Sequence, residues 1–267
     1  MPREPRLSVV TAAHNEQDNI ERLLLEIDAA LLPGGIDYEV IVVDDGSTDA
    51  TQALLAELLW RNRRLRAVRM RHTPPGRGSG QSAAFCAGIR AARGELIVTI
   101  DADCQNDPAD IPAMVRVLES EGADLVQGDR SVARRDRLLR RASSLVGRMF
   151  RFGLLGDTIR DTGCSLRLMR RSVALSLPLE YRGMHRFIPL TARQLGYRVL
   201  EMPVNHRPRT AGRTNYGIGD RAVPGLIDCF AVRWMRSRRR DVSFDEIRPR
   251  PPAPRPAADL RRETAPR

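Results

Sequence analysis

The sequence predicts an α/β fold in which helices flank a mostly parallel sheet, followed by C-terminal amphipathic helices and a disordered tail. The first observation is that 42% of the 267 residues are hydrophobic, which is enough to build a core. The second is that the first half contains short runs rich in Val and Ile, as expected of strands covered on both faces. The third is that amphipathic stretches alternate with these runs, which is typical of a parallel, Rossmann-like nucleotide-binding sheet.

The predicted elements follow one another in a regular order up to Asp129. Strands are expected over Leu7 to Ala13, Tyr38 to Val43, Leu65 to Met70, Leu96 to Ile100 and Asp124 to Gln127. Helices are expected between them over Glu16 to Leu32, Asp49 to Arg61, Gln81 to Ala92 and Ala109 to Glu121. After Asp129 we expect a helix over 135–153, a strand over Cys164 to Met169, a helix over Arg186 to Leu195, a strand over Arg198 to Val204 and a helix over 218–237.

The domain boundaries follow from this order and from a change in composition near residue 241. Residues 1–240 are expected to form one domain, with a nucleotide-binding half over 1–129 and a second half over 130–240 that carries the amphipathic helices. Residues 241–267 contain six prolines among charged residues. This composition predicts a disordered tail.

The formal charge of +11 is unevenly distributed along the chain. Residues 1–129 contain 13 Arg against 21 Asp and Glu, whereas residues 130–160 and 205–240 each contain 9 Arg against 2 acidic residues. The basic excess indicates an anionic partner, but an acidic first half repels polyanions unless a cation intervenes. A protein that binds nucleic acid is therefore not expected.

Several other classes of protein are excluded. No N-terminal apolar run is long enough for a signal peptide, and none approaches the ~20 residues of a membrane span, which predicts a cytoplasmic protein. The four cysteines, Cys86, Cys104, Cys164 and Cys229, form no CxxC pair, so buried reduced thiols are expected instead of disulfides or a zinc site. An NAD-dependent oxidoreductase is not expected, because no glycine fingerprint follows the first strand.

Two carboxylates follow the strand that is predicted to end at Ile100. Asp101 and Asp103 are separated by one residue, so on an extended backbone both side chains point to the same side at the carboxyl edge of the sheet. Hard oxygen ligands at this edge suit Mg²⁺ or Mn²⁺ carrying a diphosphate, and the cation would explain how the acidic half tolerates a nucleotide. The alternative is an Asp pair that caps a helix or forms a turn.

Acidic residues also follow the first two predicted strands. Glu16 follows the first, and Asp44 and Asp45 close the second, before a Gly that permits a tight turn. A carboxylate in this crevice can accept hydrogen bonds from a ribose hydroxyl or a base N–H. Helix capping is the alternative for each acid, and it is the favoured role for Thr48 and Asp49. The glycines from Gly76 to Gly80 lack the spacing and the Lys of a P-loop, which favours a connection to a helix whose N-terminus faces the crevice.

Six short segments of the chain, taken together, form a pattern that is more specific than any one of them. They are His14-Asn15-Glu16, Asp44-Asp45-Gly46-Ser47, Gly80-Gln81-Ser82-Ala83, Asp101 to Pro108, Asp161 to Arg167, and His206 to Arg209. Together they resemble the family 2 glycosyltransferases with the GT-A fold, in family order and over residues 7–235. Within that family the chain is similar to the polyprenyl-phosphate branch, which includes dolichyl-phosphate mannosyltransferase and the undecaprenyl-phosphate sugar transferases.

The resemblance implies a metal-dependent, inverting transfer of a sugar from a GDP-sugar or UDP-sugar donor to a polyprenyl (undecaprenyl or dolichyl) phosphate. It places the nucleotide-sugar at Ala13, Asn15, Glu16, Asp44, Asp45, Gly80, Asp101, Ala102 and Asp103, and Mg²⁺ or Mn²⁺ at Asp101, Asp103 and Gln105. Catalytic roles, including the contacts to the acceptor or donor phosphates, fall to Asp103, Arg130, Arg140, Ser144, Arg207 and Arg209. The nearest alternative is a family 2 transferase with a soluble or glycan acceptor, which predicts activity without lipid phosphate.

The two basic blocks predict contact with an anionic membrane surface. At helical spacing two apolar stripes stand out, namely Leu138, Ala142, Leu145, Met149 and Phe152, and Val223, Leu226, Ile227, Phe230 and Trp234. Arg residues flank both stripes, and helices of this kind lie in the headgroup region, so we expect a protein peripheral at the inner face of the cell membrane. The alternative is core packing with a solvated basic face.

Two departures from the family pattern are visible, and the second bears on membrane attachment. Thr214-Asn215-Tyr216 stands where the family usually has Ser-Lys-Tyr, so the Lys contact is absent. The Pro-rich tail occupies the place of the transmembrane helices that many relatives carry. Attachment through a membrane partner protein or a homo-oligomer therefore stays open beside the amphipathic helices.

Overall fold

The computed structural model describes residues 4–73, 77–131, 148–208 and 219–240, whose strands form one seven-stranded sheet. The strands are β1 (Leu7–Ala13), β2 (Tyr38–Asp44), β3 (Leu65–Arg69), β4 (Leu96–Asp101), β5 (Leu125–Asp129), β6 (Arg167–Arg170) and β7 (Val199–Pro203). The helices are α1 (Ile20–Leu31), α2 (Thr51–Arg61), α3 (Gln81–Ala91), α4 (Ile111–Ser120), α5 (148–155), α6 (Arg171–Ser176), α7 (Ile188–Gln194) and α8 (Gly219–Arg238), with 3-10 helices at Pro108–Asp110 and Met184–Phe187. The strand order is β3-β2-β1-β4-β6-β5-β7.

The mostly parallel sheet predicted from the sequence is confirmed, with one exception at β6. This strand pairs antiparallel with both β4 and β5, while β1, β2, β3 and β4 are parallel neighbours and β5 is parallel to β7. An apolar run carries no information about strand direction, so the sequence pattern could not reveal the exception. β6 also begins at Arg167, three residues later than predicted, and the six-residue α6 is too short to show a helical period.

Apolar layers cover both faces of the sheet. Val9 and Val98 pack on one face in a cluster that includes residues of α1 and α4, and Val10 and Ile97 pack on the other with residues of α3, α6 and α7. This two-sided burial explains why the strands read as continuous Val and Ile runs. All four cysteines are buried and free, as predicted.

Gly88 lets α3 pack directly on the sheet, and this close contact gives the first testable prediction. A Cβ at Gly88 would lie 2.3 Å from Val10 Cγ1 and 2.9 Å from Val43 Cγ2, both in the core. We expect Gly88→Ala to destabilise the protein by about 1–3 kcal/mol in urea unfolding, because overpacking outweighs the gain in helix propensity. Gly153→Ala in α5 is the control, since no atom lies within 4 Å of its added Cβ. Equal stability of the two variants would contradict this description of the core.

Two sequence predictions fall largely on residues that the structure does not describe. The tail predicted over 241–267 and most of the helix predicted over 135–153 lie outside the described ranges. Among the helices within those ranges, none combines the length and the apolar character needed to cross a membrane.

Candidate active site

The carboxyl ends of β1, β2 and β4 lie side by side and bring acidic residues to one edge of the sheet. In the strand register Ala13 lies opposite Asp44, and Ala12 lies opposite Asp101. Asp45 follows Asp44 directly, and its backbone N–H donates to the Ala13 carbonyl at 2.9 Å. The edge therefore carries carboxylates from the ends of β2 and β4, with the end of β1 between them.

Asp101 and Asp103 flank a tight turn at the end of β4. Asp103 Oδ1 accepts a hydrogen bond from the Gln105 N–H at 3.2 Å, and the Gln81 side-chain amide donates to Asp101 Oδ1. Burial raises the pKa of the Asp101 carboxyl, and the negative charge of Asp103 raises it further. Two carboxylates that repel each other form a site whose charge a divalent cation would offset.

The oxygen donors at this turn fit Mg²⁺ or Mn²⁺. Within the described ranges no three His, Cys, Asp or Glu side chains form a metal-binding group, so the protein contributes two carboxylates here. Mg²⁺ is commonly held by one or two carboxylates together with substrate phosphates and water, and Asp101 and Asp103 meet that requirement. The backbone N–H of Gln105 bonds to Asp103 and its carbonyl accepts from the Arg207 N–H, which leaves the Gln105 side chain for a ligand.

Asp45 holds the loop that leads into α3. Its two carboxylate oxygens accept hydrogen bonds from the backbone N–H groups of Ser79 and Gly80, each at 2.7 Å. Gly78 approaches so closely that an added Cβ would lie 2.5 Å from Asp45 Oδ2. Gly80 is predicted to contact the nucleotide-sugar, and in this structure its N–H is bonded to Asp45.

Three other predicted nucleotide-sugar contacts are buried. Asp44 Oδ1 accepts from the Ser47 N–H at 3.0 Å, while Asp44 Oδ2 is buried and has no hydrogen-bond partner among the described residues. Ala13 and Ala102 are 1% and 2% exposed and belong to the core. Each alanine can therefore offer a ligand only its backbone.

The loop after β1 is tied to the loop after β2. Asn15 has a φ of 60°, and its Oδ1 accepts hydrogen bonds from the N–H groups of Thr48 at 2.7 Å and Asp49 at 3.3 Å. Glu16 Oε2 accepts from Asn19 Nδ2 at 2.7 Å. The bonds of Asn15 to Thr48 and Asp49 fix the two loops relative to each other at the edge where a nucleotide is predicted.

Arg130 and Asp161 form a buried ion pair beside the acidic turn. Arg130 Nε and Nη2 donate to Asp161 Oδ2 and Oδ1 at 2.7 and 3.1 Å, and the two side chains are only 8% and 10% exposed. Burial alone would lower the pKa of the Arg130 guanidinium, but the hydrogen bond and charge of Asp161 outweigh it and raise the pKa. The charge of Asp101 acts in the same direction, so the guanidinium lies within electrostatic reach of the acidic turn.

Arg167, for which no individual role is predicted from the sequence, is fully buried in β6. Its Nε donates to Gln127 Oε1 at 2.7 Å and its Nη2 to the Thr162 carbonyl at 3.0 Å, and Nη1 has no partner among the described residues. Burial lowers the pKa of this guanidinium to about 10, so it stays charged at neutral pH. An Arg inside an apolar strand was the signal that could have pointed to it.

The remaining predicted phosphate contacts are described only in part. Arg207 Nη1 donates to Glu26 Oε2 at 2.8 Å, and Arg207 Nη2 lies 2.6 Å from Asp107 Oδ2, so two carboxylates hold this guanidinium. Arg140, Ser144 and Arg209 lie outside the described residues.

Comparison with protein families adds a decisive observation to this geometry. Residues 8–177 match the model of Glycosyl transferase family 2. The chain belongs to this family. The matched region of the transferase runs from β1 to the end of α6 and contains the acidic turn, Asp45, the Arg130–Asp161 pair and Arg167.

Curated relatives of this family 2 transferase are similar over most of its length. It is 37% identical to dodecaprenyl-phosphate galacturonate synthase of Rhizobium johnstonii over 246 residues, which cover 89% of this chain and 70% of the relative. It is 36% identical to undecaprenyl-phosphate 4-deoxy-4-formamido-L-arabinose transferase of Edwardsiella ictaluri, covering 79% of this chain and 63% of the relative. The chain thus spans between three fifths and seven tenths of these relatives.

Solved structures of two other enzymes share the fold of this transferase. Glucosyl-3-phosphoglycerate synthase of Mycobacterium tuberculosis superposes with a TM-score of 0.60 at 23% identity, covering 86% of this chain and 80% of that one. A mannosyltransferase of Pyrobaculum calidifontis, solved with GDP-mannose and Mn²⁺, gives a TM-score of 0.61 at 22% identity, covering 86% and 64%. The predicted GT-A-like α/β fold is thereby confirmed.

Proposed function

We propose that this family 2 protein transfers a sugar from a nucleoside diphosphate-sugar to a polyprenyl phosphate, with inversion at the anomeric carbon. One observation supports the proposal above the others: the Arg130 guanidinium, buried in an ion pair with Asp161, lies within electrostatic reach of Asp101. A cation site for a leaving diphosphate and a guanidinium for an attacking phosphate thus share one crevice. The curated relatives act on undecaprenyl and dodecaprenyl phosphate by name, which supports the same acceptor class here.

The donor would lie along the edge formed by the ends of β1, β2 and β4. Glu16 and Asp45 would face the nucleoside, and Asp101 and Asp103, with Gln105, would hold Mg²⁺ or Mn²⁺ against the diphosphate. When bound, that cation neutralises charge on the leaving nucleoside diphosphate. Relatives of the same fold were solved with Mg²⁺ and UDP and with Mn²⁺ and GDP-mannose, which supports this arrangement.

The acceptor needs positioning and charge neutralisation more than a strong base. A phosphomonoester has its second pKa near ~6, so most of it is already an ionised nucleophile at neutral pH. Arg130, oriented by Asp161, would hold this phosphate in line with the bond from the anomeric carbon to the leaving diphosphate. One displacement on the opposite face inverts the anomeric configuration.

A cavity beside this position is suited to the isoprenoid chain. It measures about 440 Å³ and is lined by Arg148, Met149, Phe152, Asp157, Thr158 and Arg160. Arg160 Nη1 also lies 4.0 Å from Oδ2 of Asp129, the residue that precedes Arg130 in the chain. Arg160 thus joins the lining of the cavity to the end of β5, which precedes Arg130.

The exposed apolar face of α5 and α8 supports attachment to the inner membrane surface. Met149 and Phe152 of α5, with Leu226, Ile227, Phe230 and Trp234 of α8, are between 42% and 65% exposed. The buried side of α8 is formed by Cys229 and Val232, so the described part of the predicted stripe faces outward and does not pack in the core. An outward apolar face next to Arg233, Arg236 and the Arg238–Arg240 run suits the headgroup region of an anionic bilayer.

Vesicle flotation tests the membrane proposal. We expect the protein to float with anionic vesicles at low salt and to be partly released at high salt, because about 1 kcal/mol per surface Arg is electrostatic. Trp234→Ala should weaken binding about tenfold or more, since burying a large apolar side chain contributes about 1.5–3 kcal/mol. Trp60→Ala is the matched control, because Trp60 is 92% exposed on α2. Recovery of the wild type wholly in the soluble fraction at low salt would contradict the proposal.

A transfer assay tests the proposed function. The protein is incubated with undecaprenyl phosphate, Mn²⁺ and each of a panel of GDP-sugars and UDP-sugars, and sugar label is counted in the organic phase. We expect label in that phase with at least one donor and none when lipid phosphate is omitted. Transfer only to a soluble or glycan acceptor would replace this proposal with the alternative raised by the sequence.

A further inference from the structure

Ser82 and His185 form a pair across 103 positions of the chain, on the α3 side of the sheet. Ser82 lies in the first turn of α3, and His185 lies in the 3-10 helix Met184–Phe187. Ser82 Oγ accepts a hydrogen bond from the His185 backbone N–H at 3.0 Å and lies 2.8 Å from His185 Nδ1. Ser82 is only 2% exposed, and His185 is partly buried.

The hydrogen-bond roles in this pair follow from donor and acceptor balance. Because Ser82 Oγ already accepts from a backbone N–H, its own hydrogen is free to point at His185 Nδ1. Nδ1 is then the acceptor, and the neutral ring carries its proton on Nε2. Burial, with the charges of Arg186 and Arg167, lowers the pKa of His185 to about 3, so the ring stays neutral at physiological pH.

The start of α3, which this pair holds, is bonded to both Asp45 and Asp101 of the proposed donor site. Immediately before Ser82, the Gln81 amide donates to Asp101, and the Gly80 N–H donates to Asp45 Oδ2 at 2.7 Å. The residue that precedes α3, Gly80, has a φ of 95° and provides no side-chain cap. No side-chain cap closes the start of α3. Asp45 holds the loop before it, and the contact between Ser82 and His185 holds its first turn from the side.

We propose that Ser82 and His185 are a positioning pair that holds the first turn of α3 so that Gln81 orients Asp101 for the diphosphate-bound cation. The proposal rests on the function proposed above and extends it to two residues that lie outside the acidic turn. Neither residue touches the reacting atoms, and both act through Gln81 and Gly80. A substitution away from the reacting atoms that displaces a catalytic group by about 1 Å can reduce turnover about a hundredfold.

The test measures Mn²⁺ binding and turnover separately. We expect Ser82→Ala and His185→Ala each to lower kcat by about tenfold to a hundredfold. Each should also raise the Mn²⁺ concentration that half-saturates the protein in the presence of a nucleoside diphosphate, as measured by electron paramagnetic resonance. The double variant should be no worse than the more damaged single variant, because the two residues form one contact. His185→Asn should recover much of the loss, since its carboxamide oxygen can accept from the Ser82 hydroxyl.

Ser176→Ala is the matched control, because the Ser176 hydroxyl bonds only to the Val173 carbonyl of its own helix among the described residues. Variants at Ser82 and His185 that melt lower but bind Mn²⁺ normally would overturn the proposal in favour of a purely structural role. Loss of an ionisation from the pH profile in His185→Asn would overturn it in favour of a general base. Wild-type protein that binds neither Mn²⁺ nor nucleotide would instead contradict the proposed function itself.

Discussion

Asp103→Asn is expected to reduce sugar transfer by about a thousandfold or more while leaving the fold intact. The substitution removes one of the two carboxylates proposed to hold the cation. A bound cation stabilises the charge on the leaving group by roughly several kcal/mol. The charge of Asp103 raises the pKa of the Asp101 carboxyl, so the two groups repel each other. Removing that repulsion means that the Tm without metal should not fall. Initial rates with saturating Mn²⁺ and melting curves with and without Mn²⁺ measure both effects.

The isosteric control for this experiment is Asp124→Asn, at the other end of the sheet. Asp124 accepts a hydrogen bond from the Arg198 N–H at 2.9 Å and precedes β5, far along the strand from the acidic edge. It should retain transfer and the Mn²⁺-induced rise in Tm. Full activity of Asp103→Asn, or an unchanged rise in its Tm with Mn²⁺, would show that the acidic turn does not hold the cation.

Asp161→Ala is expected to lower the free energy of unfolding by about 3–5 kcal/mol, the largest effect on stability that we predict. Arg130 and Asp161 are almost completely buried, and removing the carboxylate leaves a guanidinium without its two charge-assisted bonds. Glu57→Ala is the control for a surface pair, because Glu57 and Arg61 are half exposed and such pairs contribute less than about 1 kcal/mol. Urea unfolding of the three proteins gives the comparison.

A second substitution separates the stability of this pair from its function. In Asp161→Ala combined with Arg130→Met the substitution at Asp161 no longer leaves the Arg130 charge unpaired, so much of the lost stability should return. Transfer should stay about a hundredfold below wild type, because the acceptor phosphate lacks its guanidinium. A double variant that regains both stability and activity would show that Arg130 has no role toward the acceptor.

The strand pattern allowed much of the first half of the fold to be predicted. β1 matches its predicted bounds, and Asp101 lies at the end of β4, because buried parallel strands leave a long apolar signal with polar residues at the end. The position of the acidic turn could be predicted because strand ends in such a sheet share one edge. The start of β6 and its antiparallel direction could not, since both depend on long-range pairing with β4 and β5.

Long-range contacts between polar side chains were also beyond prediction from the sequence. The partners Arg130 and Asp161 are 31 positions apart, and Ser82 and His185 are 103 apart, so no local period links them. The helical stripe that contains Ile227 and Trp234 was recognised, but periodicity alone cannot say whether an apolar face is buried or exposed. The structure shows the exposed fractions, 62% for each of these two side chains, and so separates the two interpretations.

The identity and configuration of the lipid product test the central claim most directly. We expect a polyprenyl monophosphate-linked sugar whose anomeric configuration is opposite to that of the donor, formed with Mn²⁺ and absent with EDTA. Mass spectrometry counts the phosphates in the purified product, and the proton coupling at the anomeric carbon gives the configuration. A diphosphate-linked product, retained configuration or undiminished transfer in EDTA would contradict the proposed mechanism.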